Sequence, residues 1–235
     1  MRLLAALLLA ALLLAASTTA AVEPLPGLPA SPRILFQGDS ITDGNRGRGA
    51  DLNHVHGHGY VYLLAAKLGA GAPSQNATFL NRGVSGNTTL DLARRWTKDT
   101  LELRPDVLSI LIGVNDSGKG VTPEVFERTY DELLTAARAA NPQLRLVLCE
   151  PFAGATGSAL DKSPGRRERL ALLVPVVRRL AAKHGATLVD FQKVFDDALR
   201  QAPSAYWIWD GVHPTTAGHQ LMADEWERVV RASWR

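Results

Sequence analysis

From residue 33 to the C-terminus, short apolar runs alternate with longer segments of mixed polarity. The runs Arg33–Gln37, Thr78–Asn81, Asp106–Ile112, Leu144–Glu150 and Thr187–Val189 are rich in Leu, Ile, Val and Phe, as strands are. Between them, apolar positions recur at helical spacing over Tyr60–Leu68, Thr89–Leu103, Thr122–Ala140, Pro164–His184 and Thr215–Trp234. Punctuation supports the assignment: Pro105 stops the second helix, Thr122-Pro123-Glu124 opens the third, and Asn141-Pro142 closes it. The nearly continuous apolar stretch from Val107 to Ile112 predicts a strand covered on both faces, which belongs to a parallel sheet layered with helices. The pattern therefore predicts a single α/β domain whose ligands bind beyond the carboxyl ends of its strands.

The N-terminus obeys a different pattern. Arg2 precedes an unbroken run of Leu and Ala from Leu3 to Ala16, followed by the small residues Ser17-Thr18-Thr19-Ala20-Ala21. That run fits the ~7–15 residues of a signal-peptide core and is shorter than the ~20 that span a bilayer. A signal peptide over 1–21 is expected, cut after Ala20 or Ala21. Cleavage implies a secreted chain, periplasmic or extracellular, with no lasting membrane insertion. A Pro-rich extended linker over 22–32 and a single α/β domain over 33–235 follow. Cys149 is the only cysteine, which excludes an intramolecular disulfide and predicts a buried thiol on a strand. Lys and Arg number 26 against 23 Asp and Glu, a formal net charge of +3 with no long run of one sign, which argues against a nucleic-acid partner.

Four polar blocks follow the predicted strands or precede the last helix. Gly38-Asp39-Ser40-Ile41-Thr42 leads from the first strand into a helical turn, where backbone N–H groups surround a serine hydroxyl and suit an oxyanion; a capping serine shows the same pattern. Asn81-Arg82-Gly83-Val84-Ser85-Gly86-Asn87 follows the second strand, and Gly113-Val114-Asn115-Asp116 the third. A glycine N–H can approach a substrate closely, and an Asn amide can donate to an oxyanion. In Trp209-Asp210-Gly211-Val212-His213-Pro214, a carboxylate three residues before a histidine can fold back on one ring nitrogen and leave the other to accept a serine proton.

In that order, the four blocks resemble the GDSL or SGNH hydrolases, whose blocks run Gly-Asp-Ser, Gly, Gly-x-Asn-Asp and Asp-x-x-His. The resemblance spans Gly38 to Pro214 and implies a flavodoxin-like three-layer α/β/α sandwich with a central parallel five-stranded sheet. It also implies a serine esterase in which Ser40 is nucleophile and first oxyanion donor, His213 general base and Asp210 its orienting carboxylate. Gly86 and Asn115 are the implied second and third oxyanion donors, with Gly83 a rival for Gly86. No cofactor and no metal are implied. The family's chemistry covers short acyl esters, O-acetyl groups on carbohydrates and lysophospholipids, and the absence of a long apolar segment after the leader favours small acyl groups. Lipid hydrolysis is the alternative within this class. An inactive carbohydrate-binding protein is the alternative outside it.

Three further features lie near these blocks. His54, His56 and His58 alternate in a stretch from Arg46 to His58 that is longer than the loop expected after the first block, and they read as part of a mobile loop bordering the cleft or as metal ligands. Trp207 and Trp209 are candidate sugar-stacking residues, although packing beneath the loop explains them equally well. Glu150 ends the fourth strand and is expected to brace the site, outside the catalytic set.

Overall fold

The computed structural model describes residues 23–235, so the leader expected over 1–21 lies outside the described residues. Five parallel strands, β1 (Arg33–Gly38), β2 (Thr78–Asn81), β3 (Val107–Leu111), β4 (Arg145–Cys149) and β5 (Thr187–Val189), form one sheet in the order β2-β1-β3-β4-β5. The helices are α1 (Ser40–Asp43), α2 (Tyr60–Gly71), α3 (Thr89–Trp96), α4 (Val114–Gly118), α5 (Pro123–Ala140), α6 (Ser158–Asp161), α7 (Arg166–His184), α8 (Phe191–Ala198), α9 (Ser204–Trp207) and α10 (Thr216–Ser233).

Strand alternation divides the core into two layers. Ile34, Phe36, Val107, Leu111, Val147, Cys149 and Val189 point to one face and pack with α2, α8 and α10. Leu35, Leu108, Ile110, Leu146 and Leu148 point to the other, under α3, α5 and α7. Every β3 side chain is buried, as its apolar run predicts. Its one polar member, Ser109, accepts a hydrogen bond from the buried Trp226 indole at 3.0 Å, so the hydroxyl is not stranded in the core. Cys149 is buried on β4, where burial pushes its thiol up to about 12.

Three differences from the predicted elements have physical causes. The helix expected over Thr89–Leu103 changes to a π turn over Thr97–Leu101. There the Gln37 amide donates to the Asp99 carbonyl at 2.7 Å and to the Thr100 hydroxyl at 2.8 Å, taking a carbonyl that a regular ladder would use. The described part of the Pro-rich lead is docked rather than a free linker: Leu25 is buried, its N–H and C=O pair with the Gln75 amide, and Arg145 donates to the Gly27 carbonyl. Helix α8 was not expected. It begins at Asp190, whose side chain accepts the Lys193 N–H, and buries Phe191, Phe195 and Ala198 along one stripe.

The strand order fixes where the site falls. The chain passes from β1 outward to β2 and then crosses to β3 on the other side, so the order reverses between β1 and β3. Loops leaving those two strands at their carboxyl ends run to opposite sides, which is where ligands bind in open parallel sheets.

Candidate active site

Ser40 is separated from β1 by Asp39 alone and is the first residue of α1. The turn is held by Asp39, whose side chain accepts the Ile41 N–H at 3.0 Å, and ends at Gly44 in the left-handed region. The Ser40 Oγ lies 2.9 Å from Nε2 of His213, although the two residues are 173 apart in sequence. His213 Nδ1 meets Asp210 Oδ2 at 2.7 Å. The other Asp210 oxygen accepts the backbone N–H groups of Val212 and His213 at 2.9 and 2.7 Å. Burial acts to raise the Asp210 carboxyl, but the backbone and ring N–H groups of His213 outweigh it and hold the group below its ordinary value. An ionised Asp210 fixes the Nδ1–H tautomer and leaves Nε2 unprotonated toward the serine.

The loop after β2 separates the two rival glycines. Gly83 gives its N–H to Asn81 Oδ1 at 2.9 Å, and a Cβ there would lie 2.3 Å from the Asp43 backbone nitrogen. It is a packing glycine whose donor is already engaged. Gly86 has φ +82°, nothing crowds the position a Cβ would take, and its N–H has no acceptor among the described residues. Asn115 stands at the start of α4 and donates from Nδ2 to the Asn87 carbonyl at 3.2 Å, which leaves the second amide N–H available. Asp116, buried beside it, accepts the Thr89 N–H and hydroxyl at 3.0 and 2.6 Å and so ties α4 to the start of α3.

Arg95 of α3, which carried no signal in the sequence, knits these loops together. Its guanidinium donates to Asn87 Oδ1, Gln37 Oε1 and the carbonyls of Arg82 and Gly38. Asp43 is a second residue that sequence reasoning passed over. Trp209 is 61% exposed beside Asp210. Trp207 is not available to substrate: it is buried, and its indole donates to the carbonyls of Ala198, the last residue of α8, and of Ala202 in the turn beyond it. Glu150 is a brace, with its buried carboxylate paired to Arg178 of α7. The histidines of the long loop do not converge. His54 pairs with Asp51, the His56 carbonyl accepts the Asn81 amide, and among the described residues no three potential metal ligands are grouped. A cavity of about 460 Å³ between Thr100, Asp106 and Asn141 lies at the amino ends of the strands, the opposite end of the sheet from Ser40.

A serine hydroxyl on an imidazole and a carboxylate on the far ring nitrogen, at the switch point of a parallel sheet, make the layout of a serine-dependent carboxylic ester hydrolase. Comparison with known proteins agrees. Residues 36–221 match the model of the GDSL-like lipase/acylhydrolase family, and the chain belongs to that family. It is 33% identical over 215 residues to an acetylxylan esterase from Geobacillus stearothermophilus, covering 86% of this chain and 95% of that protein. A crystal structure of an acetylxylan esterase from the same organism superposes with a TM-score of 0.76 at 30% identity, covering 86% of this chain and 95% of that one. A GDSL-like lipase from Parabacteroides merdae superposes with a TM-score of 0.81 at 38% identity, covering 88% of this chain and 99% of that one. The chain is a carboxylic ester hydrolase, which sets aside the reading as an inactive sugar-binding protein.

Proposed function

We propose that this hydrolase is exported and removes small acyl groups, O-acetyl groups on a carbohydrate in particular, through an acyl-enzyme on Ser40. The observation that carries the reading is the unbroken contact from Ser40 through His213 to Asp210. His213 Nε2 takes the hydroxyl proton as Ser40 Oγ attacks the ester carbonyl. The oxyanion receives the Ser40 and Gly86 N–H groups and the free Asn115 amide N–H. The imidazolium, stabilised by Asp210, passes its proton to the leaving sugar hydroxyl, and water then clears the acyl group by the same steps in reverse roles.

Two observations favour a carbohydrate ester. The Geobacillus stearothermophilus relative is named an acetylxylan esterase, and the open Trp209 ring beside Asp210 offers an apolar face for a sugar. The Parabacteroides merdae lipase keeps lipid hydrolysis as the second reading. The test measures acetate released from acetylated xylan and fatty acid released from a lysophospholipid, with Ser40→Ala as blank. The proposal expects acetate release to dominate by at least about tenfold and to vanish in the variant. Preference for the long-chain substrate overturns the substrate, and activity surviving Ser40→Ala overturns the mechanism. N-terminal sequencing of exported protein tests the leader, which should be absent through Ala20 or Ala21.

A further inference from the structure

Asp43 is the last residue of α1, three positions beyond Ser40, and its side chain is 3% exposed yet takes no part in the triad. Every partner of its carboxylate is a donor. Oδ2 accepts the Ser85 N–H at 3.0 Å, the Ser85 hydroxyl at 2.8 Å and Arg48 Nη2 at 2.8 Å. Oδ1 accepts Arg48 Nη1 at 2.9 Å and the Arg46 N–H at 3.2 Å. Burial acts to raise this carboxyl, while Arg48 and Ser85 hold it below its ordinary value, so it carries its charge. Its own backbone is fixed to the nucleophile turn, since the Asp43 N–H donates to the Asp39 carbonyl at 2.8 Å.

We propose that Asp43 is a positioning residue of the oxyanion hole, fixing the Gly86 N–H relative to the Ser40 N–H by holding Ser85. The inference rests on the reading of Gly86 as an oxyanion donor. The Gly86 N–H belongs to the peptide joining Ser85 to Gly86, and a glycine at φ +82° imposes little orientation on that peptide. The orientation must come from outside. Asp43 grips the chain on the Ser85 side, and Lys119 Nζ holds the Gly86 carbonyl at 2.8 Å on the other. Arg48, in the long stretch after the first block, completes the clasp with a two-pronged pair on Asp43. That stretch thereby contributes to the site through an arginine and not through its histidines.

An oxyanion donor moved out of line weakens transition-state binding more than substrate binding. Asp43→Asn keeps the size but turns an amide N–H toward groups that are all donors. With p-nitrophenyl acetate, at matched folded fraction, kcat should fall by about 10- to 100-fold and KM should change by less than about threefold. Ser85→Ala, at an exposed position, removes one of the two Ser85 contacts and should lower kcat about three- to tenfold. It carries the test if Asp43→Asn does not fold. Because both act on one contact, the double variant should be no slower than Asp43→Asn. Asn115→Ala, run in parallel, separates the two readings: its full activity would overturn the oxyanion hole on which the proposal rests. If Asn115→Ala is slow while Asp43→Asn and Ser85→Ala keep kcat within twofold, or lose only in KM, or multiply independently, the clasp is overturned.

Discussion

Replacing Asp39 with Asn should change how the stability of this protein depends on pH. Asp39 is buried, and burial, reinforced by the charges of Asp116 and Asp43 and opposed by the Ile41 N–H, pushes its carboxyl from an ordinary 3.8 to about 7. Below the ordinary value both the folded and the unfolded chain hold the proton, so the stability linked to this group is fully present. As pH rises, the unfolded chain ionises first, and that stability is lost until the folded group titrates at about 7. A shift of about three units corresponds to roughly 4 kcal/mol. His219 works in the opposite sense. Burial lowers it from 6.5 to about 4, so stability linked to it is present above 6.5 and lost as pH falls toward 4. The two slopes offset one another in the wild type between about pH 4 and 6.5. Asn at position 39 can still accept the Ile41 N–H but cannot ionise, so the variant should show the His219 slope alone, gaining roughly 3 kcal/mol over that interval. The assay is urea unfolding of both proteins at steps from about pH 4 to 8. The stability of Asp39→Asn relative to wild type should rise by roughly 4 kcal/mol across the range. A difference that stays constant within about 0.5 kcal/mol would show that Asp39 titrates as an ordinary carboxyl and refute the reasoning from its burial.

With Asn115 in its proposed role as an oxyanion donor, Asn115→Ala should cut turnover of p-nitrophenyl acetate by about 10²–10³, while stability falls by no more than about 1 kcal/mol for the lost hydrogen bond to the Asn87 carbonyl. Trp209→Ala should raise KM for acetylated xylo-oligosaccharides by about tenfold and leave p-nitrophenyl acetate almost untouched. Equal losses on both substrates would remove the ring from sugar binding.

Much of the fold was legible because β3 and its neighbours alternate or run apolar in lengths that only strands of a covered parallel sheet need. The π turn was not, since its cause, the Gln37 amide on Asp99, comes from a strand 62 residues away. Helix α8 was readable in principle: Asp190 precedes Phe191, Val194, Phe195 and Ala198 at helical spacing, but eight residues following a three-residue strand made a weak pattern. In the site, motif order named the residue types, while the structure separates Gly83 from Gly86 by contacts the sequence does not display: the first has spent its N–H on Asn81 and is packed against the Asp43 backbone. Trp207 and Trp209 are near neighbours in a short irregular segment with no periodicity to assign faces. The end of α9 and the Ile208–Pro214 bridge turn one inward and leave the other out. Asp43 and Arg95 gave no signal, because each acts through loops remote in sequence.

The lone thiol of Cys149 gives the molecule its own clock. In the native fold it is enclosed on β4 and held protonated, so an aromatic disulfide reagent can react with it only in molecules that have opened. With excess reagent, each labelling event records one opening of the sheet, and a single cysteine means that no second site blurs the trace. The lifetime of the folded state can thus be timed in plain buffer, without denaturant and without introducing a new labelling site.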